Sequence, residues 1–255
     1  LNLLRRVTEK GRRISAIASL STEELREITG TPASGIPVNR PLSKADLDLE
    51  KARNDAISAI IELNPIKLER VLEEAFVSLG SVGFMMKFID PLMEQVGNLW
   101  RSGAVRTCQE HFSSAHVRSF LGRYMLEANM DPKGPRVIIA TLSGQFHELG
   151  ATMSAVVAAQ GGWNVIYLGA NVPLEEILFT ADCKEAKAIA VSLGYPEDDP
   201  KIPIMLEQLG YGVPDLCRVL VGGSGAARYR GLLARIGALE MTSLETLSKT
   251  LDSIR

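Results

Sequence analysis

A chain of 255 residues, 46% of them apolar, can bury a sizeable core and is expected to hold two domains. Its net charge of −2 gives no bulk drive toward nucleic acid or an anionic membrane, its apolar stretches read as far shorter than a bilayer span, and no signal-peptide pattern opens it. The three cysteines, Cys108, Cys183 and Cys217, form no CxxC pair, which fits core residues in a reducing cytosol and argues against structural zinc.

Leu1 to Thr29 reads as short helices, with Arg5, Arg6, Lys10, Arg12 and Arg13, a break at Gly11 and a Ser21-x-x-Glu24 capping box. There is no initiator Met and a helix is already under way at Leu1, so the chain is expected to be the tail of something longer. Residues 30–42, rich in Gly and Pro, form a linker. From Ser43 the apolar residues recur with helical period: Leu47, Ala52, Ile57, Ile60 and Ile61, then Leu68, Val71, Leu72, Ala75 and Phe76. After a Gly-containing break come Phe84, Phe88, Ile89, Leu92, Met93, Val96 and Leu99, and then Phe112, Val117, Phe120 and Met125. The pattern predicts four antiparallel helices over residues 43–130.

From Pro135 the period changes. Val137 to Ala140, Val165 to Leu168, Ala188 to Leu193 and Val219 to Gly222 read as strands alternating with helices, a doubly wound parallel sheet over residues 135–255. Thr242-x-x-Glu245 caps a last helix. His147 falls in the loop after the first strand, where open α/β sheets place their ligands. Gly150 lets something large approach the backbone there, so His147 reads as a metal ligand; the blander alternative is a loop histidine satisfied by backbone. Ser192-Leu193 ends the third strand and Gly222-Gly223 the fourth, so all these features share one rim.

His147-x-x-Gly150, Ser192 and Gly222-Gly223 resemble the pattern of the cobalamin-binding Rossmann-like (flavodoxin-like) domain. The resemblance implies that the cofactor's base leaves cobalt, that its tail inserts beside Ser192 and the two glycines, and that His147 becomes the lower axial ligand. Two positions depart from the family: Gln145 stands where a carboxylate is usual, and Gly194 where a Leu is usual. A Gln oxygen can orient the imidazole without supplying charge, so ligation survives with weaker tuning of cobalt.

Trp100, followed by Glu110-His111 in a Trp-x9-Glu-His pattern, can converge with them at a helix-pair corner; a packed Trp and a solvated polar pair are the alternative. Beside a cobalamin fold the pattern resembles the four-helix cap of MerR/CarH/LitR-like light-sensing regulators, in which these residues contact the adenosyl group of adenosylcobalamin. An indole covers apolar area, and Glu and His can hydrogen-bond ribose and adenine. His116 falls outside the pattern and reads as structural.

In that family the residue after the Trp is a histidine that ligates cobalt after photolysis; here it is Arg101, which cannot ligate. Residues 1–29 resemble the last helices of a MerR-type winged-helix domain whose recognition helix is absent. The implied protein is a cytoplasmic, homo-oligomeric sensor, bound to DNA through a missing N-terminal domain, not to a membrane, and without catalytic residues. A corrinoid carrier of a methyltransferase, or a regulator sensing another ligand, are the alternatives.

Overall fold

The computed structural model describes residues 44–128, 133–194 and 199–255. The readings placed on residues 1–29 and 30–42, the capping box at Ser21 included, lie outside these. The helical period winds the first segment into α1 (Lys44–Ile61), α2 (Pro65–Phe84), α3 (Asp90–Arg101) and α4 (Thr107–Ala128). Asn64 caps α2 by accepting the Lys67 N–H at 3.0 Å, with Pro65 in the first turn, where its missing N–H costs nothing. Inside α2, Gly80 (φ 65°, ψ 172°) leaves helical geometry, a backbone state that side chains resist.

A π turn over Met85–Ile89 then joins α2 to α3. The run Pro65–Arg101 is therefore long and apolar enough to cross a membrane, contrary to the sequence reading of short apolar stretches. Its Phe84, Met85, Phe88, Ile89, Leu92 and Val96 are instead buried in a protein core. That core also takes Ala56 and Ile60 of α1 and Val117, Phe120 and Leu121 of α4. Phe84 stacks on Phe88 with centroids 5.5 Å apart and meets Phe76 edge-on at 5.3 Å, geometries aromatic quadrupoles favour. Ile61, expected inside, ends α1 exposed.

The second segment runs β1 (Arg136–Leu142), α5 (Leu149–Gln160), β2 (Asn164–Val172), α6 (Leu174–Cys183), β3 (Ala188–Ser192), α7 (Lys201–Gly212), β4 (Arg218–Gly222), α8 (Arg230–Arg235), β5 (Leu239–Met241) and α9 (Leu244–Ile254). The strands pair in parallel in the order β2-β1-β3-β4-β5. The short fifth strand was not foreseen. Pleating sends Val137 and Ile139 into a core with α5 and α9, while Ile138, Ala140 and Leu142 enter another with α6 and α7. Strand order reverses between β1 and β3, which opens a crevice at their carboxyl ends. The architecture is thus a four-helix cap followed by a flavodoxin-like doubly wound sheet.

The cap's core does not close on its own residues, because Met153 and Val156 of α5 belong to it and Leu149 and Leu244 pack against it. Two further readings need correction. The cap of α9 is Ser243, whose hydroxyl accepts the Thr246 N–H at 3.1 Å, not Thr242. Of the cysteines only Cys217 is buried; Cys108, in the first turn of α4, and Cys183, at the end of α6, are exposed.

Candidate functional site

β1 carries the chain to the rim at Leu142, and residues 143–148 cross the top of the sheet before α5 begins. His147 stands exposed in this crossing, close enough to β3's end that a Cβ on Gly194 would lie 3.4 Å from its own. Gln145, two residues before, is only 1% exposed. Its Oε1 accepts the Gly194 N–H at 2.9 Å, and its carbonyl accepts the Thr141 hydroxyl and, at 3.1 Å, the Asn171 N–H. The Gln145 side-chain oxygen thus also clamps the loop to β3.

Glu148 went unremarked in the sequence. Its side chain, 18% exposed, takes the Arg118 guanidinium of α4 on Oε1 at 2.8 Å and the Tyr167 hydroxyl of β2 on Oε2 at 2.8 Å. Thr152 adds a hydroxyl 2.9 Å from that of Tyr167 and donates to the Glu148 carbonyl at 3.0 Å. Burial pushes the Tyr167 hydroxyl well above its ordinary range, and the hydrogen bond and charge of Glu148 push further the same way, so it remains a donor. The Glu148 carboxylate, adjoining His147, thus ties cap to sheet, and its backbone carbonyl holds the helix. Only adjacency to His147 could have signalled it.

Behind the loop a cavity of about 510 Å³ opens between the cap and the sheet. Gly150, Ser192, Gly222 and Gly223 all line it, so the structure brings together the rim features read from the sequence. Each glycine is held by contact. A Cβ on Gly150 would stand 2.8 Å from the Ser192 hydroxyl, and one on Gly223, at φ +93°, would collide with the Leu193 carbonyl. What approaches Gly150 is thus Ser192 itself. The inner wall is apolar, with Ile139, Leu220 and Leu247 buried, and the π turn supplies Met85 and Met86. The exposed mouth carries Asp90, Ser224, Arg230 and Thr242, closed by a two-point pair from Arg230 to Glu240 at 2.6 and 3.0 Å.

The cap residues gather at a separate corner. Trp100 ends α3, is 48% exposed and donates its indole N–H to Thr107 at 3.2 Å, in the first turn of α4. One turn on, Glu110 accepts from His111 Nδ1 at 2.6 Å and from the Ser114 hydroxyl at 2.8 Å. All three share the α3–α4 corner, and none lines the cavity. Arg101 turns back to Asn98 at 2.6 Å. His116 Nδ1 donates to the Phe112 carbonyl at 2.8 Å and sits in a groove with Pro65, Ile66 and Glu69 of α2.

These elements define a class. Residues 135–241 match a family described as B12 binding domain, and residues 52–124 match a second family of the same description. In architecture the chain is similar to the Methanosarcina barkeri monomethylamine corrinoid protein, with a TM-score of 0.63 over 82% of this chain and 100% of that one, at 15% identity. Its sequence is 26% identical to the HTH-type transcriptional repressor CarA of Myxococcus xanthus, over 98% of this chain and 79% of the repressor. It is 24% identical to the repressor CarH of the same organism, over 92% of this chain and 77% of CarH. The chain is a cobalamin-binding module, a CarH-like member of the B12-binding proteins.

The residues present fit the cofactor. Among the described residues no three His, Cys, Asp or Glu side chains gather into an ion site, whereas a corrinoid brings its own equatorial ring and asks one axial donor of the protein. An exposed imidazole on the loop that leads into Gly150, at the edge of the cavity, meets that need.

Proposed function

We propose that the chain is the sensory part of a light-responsive transcriptional regulator that binds adenosylcobalamin. The observation that carries this reading is the cavity at the strand-order reversal, lined by Gly150, Ser192, Gly222 and Gly223 behind the loop of His147. Similarity to CarA and CarH over nearly the whole chain supports the regulatory role. His147 would give an imidazole nitrogen to cobalt, and the cavity lined by Gly150, Ser192, Gly222 and Gly223 would take the displaced tail. Trp100, Glu110 and His111 cover the upper group. When bound, adenosylcobalamin supplies a cobalt–carbon bond that light breaks.

Trp100, Glu110 and His111 would contact the adenosyl group, and its loss would remove those contacts and repack the cap, which would alter oligomerisation and, through the DNA-binding part of the full protein, affinity for DNA. Arg101 offers a guanidinium, held by Asn98, where a ligand histidine would have to stand, so a histidine ligand cannot come from that position. No residue is assigned a catalytic role. The test is electron paramagnetic resonance of the cobalt(II) form together with absorption spectra before and after green light. Nitrogen hyperfine splitting from a histidine is expected in the wild type and absent in His147→Ala; unchanged splitting in the variant overturns the lower ligand, and a spectrum indifferent to light overturns the photochemical role.

A further inference from the structure

Four of the chain's eight methionines line the cavity behind His147: Met85 and Met86 from the π turn, Met153 from α5 and Met241 from β5. Met85 is fully buried, and Met153 and Met241 are each 9% exposed. The π turn is what presents the first two beside Asp90, since the Asp90 N–H reaches back five residues to the Met85 carbonyl. Among the described residues, Ile139, Leu220 and Leu247 complete an inner wall without a charged side chain. Of the two hydroxyls at the neck beside Gly150, that of Ser154 is spent on the Gly150 carbonyl at 2.8 Å, leaving Ser192. Every charged lining residue, Asp90, Arg230 and Glu240, belongs to the mouth.

We infer that this cavity selects corrinoids by the polarity of the base on their nucleotide tail and is indifferent to its size. The inference rests on the cobalamin reading given above and concerns which corrinoids the site takes. Methionine is unbranched and polarisable, so a wall of four can reshape around a larger or smaller ring at little cost. It cannot supply the strong hydrogen bonds that a purine's amino group and ring nitrogens give up on leaving water, and an unpaired polar group in an apolar site is penalised. Dimethylbenzimidazole, whose only hydrogen-bonding atom once it leaves cobalt is a single ring nitrogen, forfeits far less. The ribose and phosphate of the tail, common to all these corrinoids, meet the polar mouth and do not discriminate.

The experiment measures dissociation constants in the dark for cobalamin, its benzimidazole analogue lacking the two methyl groups, an adenine-tailed corrinoid and cobinamide, which has no tail. The wild type should bind the first two within about threefold of each other and the adenine-tailed form at least about tenfold more weakly. Met86→Gln, at a partly buried site, should narrow the adenine penalty by at least about threefold by offering an amide partner. Comparing variant with wild type cancels each corrinoid's own cost of releasing its base. Adenine-tailed corrinoid bound as tightly as cobalamin, or no narrowing in Met86→Gln, overturns the selectivity. Cobinamide bound as tightly as cobalamin shows that the tail does not use this cavity, while the cobalamin reading stands. Failure to bind any of the four overturns that reading itself.

Discussion

Tyr167→Phe and Arg118→Ala strip the two donors from one carboxylate, yet the structure makes their costs unequal. Phenylalanine leaves Glu148 Oε2 without its hydroxyl donor in a side chain only 18% exposed. Losing a hydrogen bond to a charged, largely buried acceptor costs about 1.5–3 kcal/mol. Arg118 is half exposed, and such an ion pair contributes about 0.5–1 kcal/mol. Urea denaturation at pH 7 with unchanged m-values should therefore show the larger loss for Tyr167→Phe. Because both donors hold the same carboxylate, the double variant should depart from additivity by about 0.5 kcal/mol or more. The tyrosine's raised pKa fixes the pH dependence. Below 10.0, where free tyrosine is protonated, the wild type keeps its full advantage over Tyr167→Phe; as pH rises past 10.0 toward the higher folded value, that advantage is lost. Arg118→Ala costing as much as Tyr167→Phe, or strict additivity, would refute the shared strut.

Gly150→Ala should lower the melting temperature by pressing on the Ser192 hydroxyl, and Ser192→Ala should restore part of the loss, because the Ser192 Cβ would lie 3.9 Å from the new methyl; absence of rescue counts against the contact. Gly223→Ala, facing the Leu193 carbonyl at positive φ, should have no such single-site remedy. In the native protein at pH 8, iodoacetamide should modify Cys108 and Cys183 but spare Cys217, as peptide mass spectrometry would show. Burial pushes the Cys217 thiol up to about 11 from 9.0, so its contribution to stability, present below 9.0, is lost as pH rises to about 11; Cys217→Ala should lack that alkaline loss.

The strands and the rim glycines were legible because each is a local signal: a short apolar run and the turn residues at its end. β5 was not, since Leu239–Met241 is too short to show alternation and pairs only because β4 already stands beside it. The role of Gln145 was invisible for another reason. Its partner Gly194 is 49 residues away, and no period links them. The methionine wall escaped notice likewise, as its members come from three elements that meet only in the fold. Cysteine burial failed because residue type sets an average, while the position on each helix sets the exposure.

The sharing of the cap's core with Met153 and Val156 has a consequence for how the molecule comes into being. Helices α1 to α4 are rich in local contacts and can form as soon as they are synthesised, whereas the parallel strands need long crossovers and assemble slowly. Early helices must therefore wait with an unfinished apolar surface until α5 arrives, and Leu244 of α9 is made only after all five strands. A fragment cut at the end of the cap would keep that surface permanently open to self-association, so the visible boundary between helices and sheet is not a boundary at which the chain can be divided.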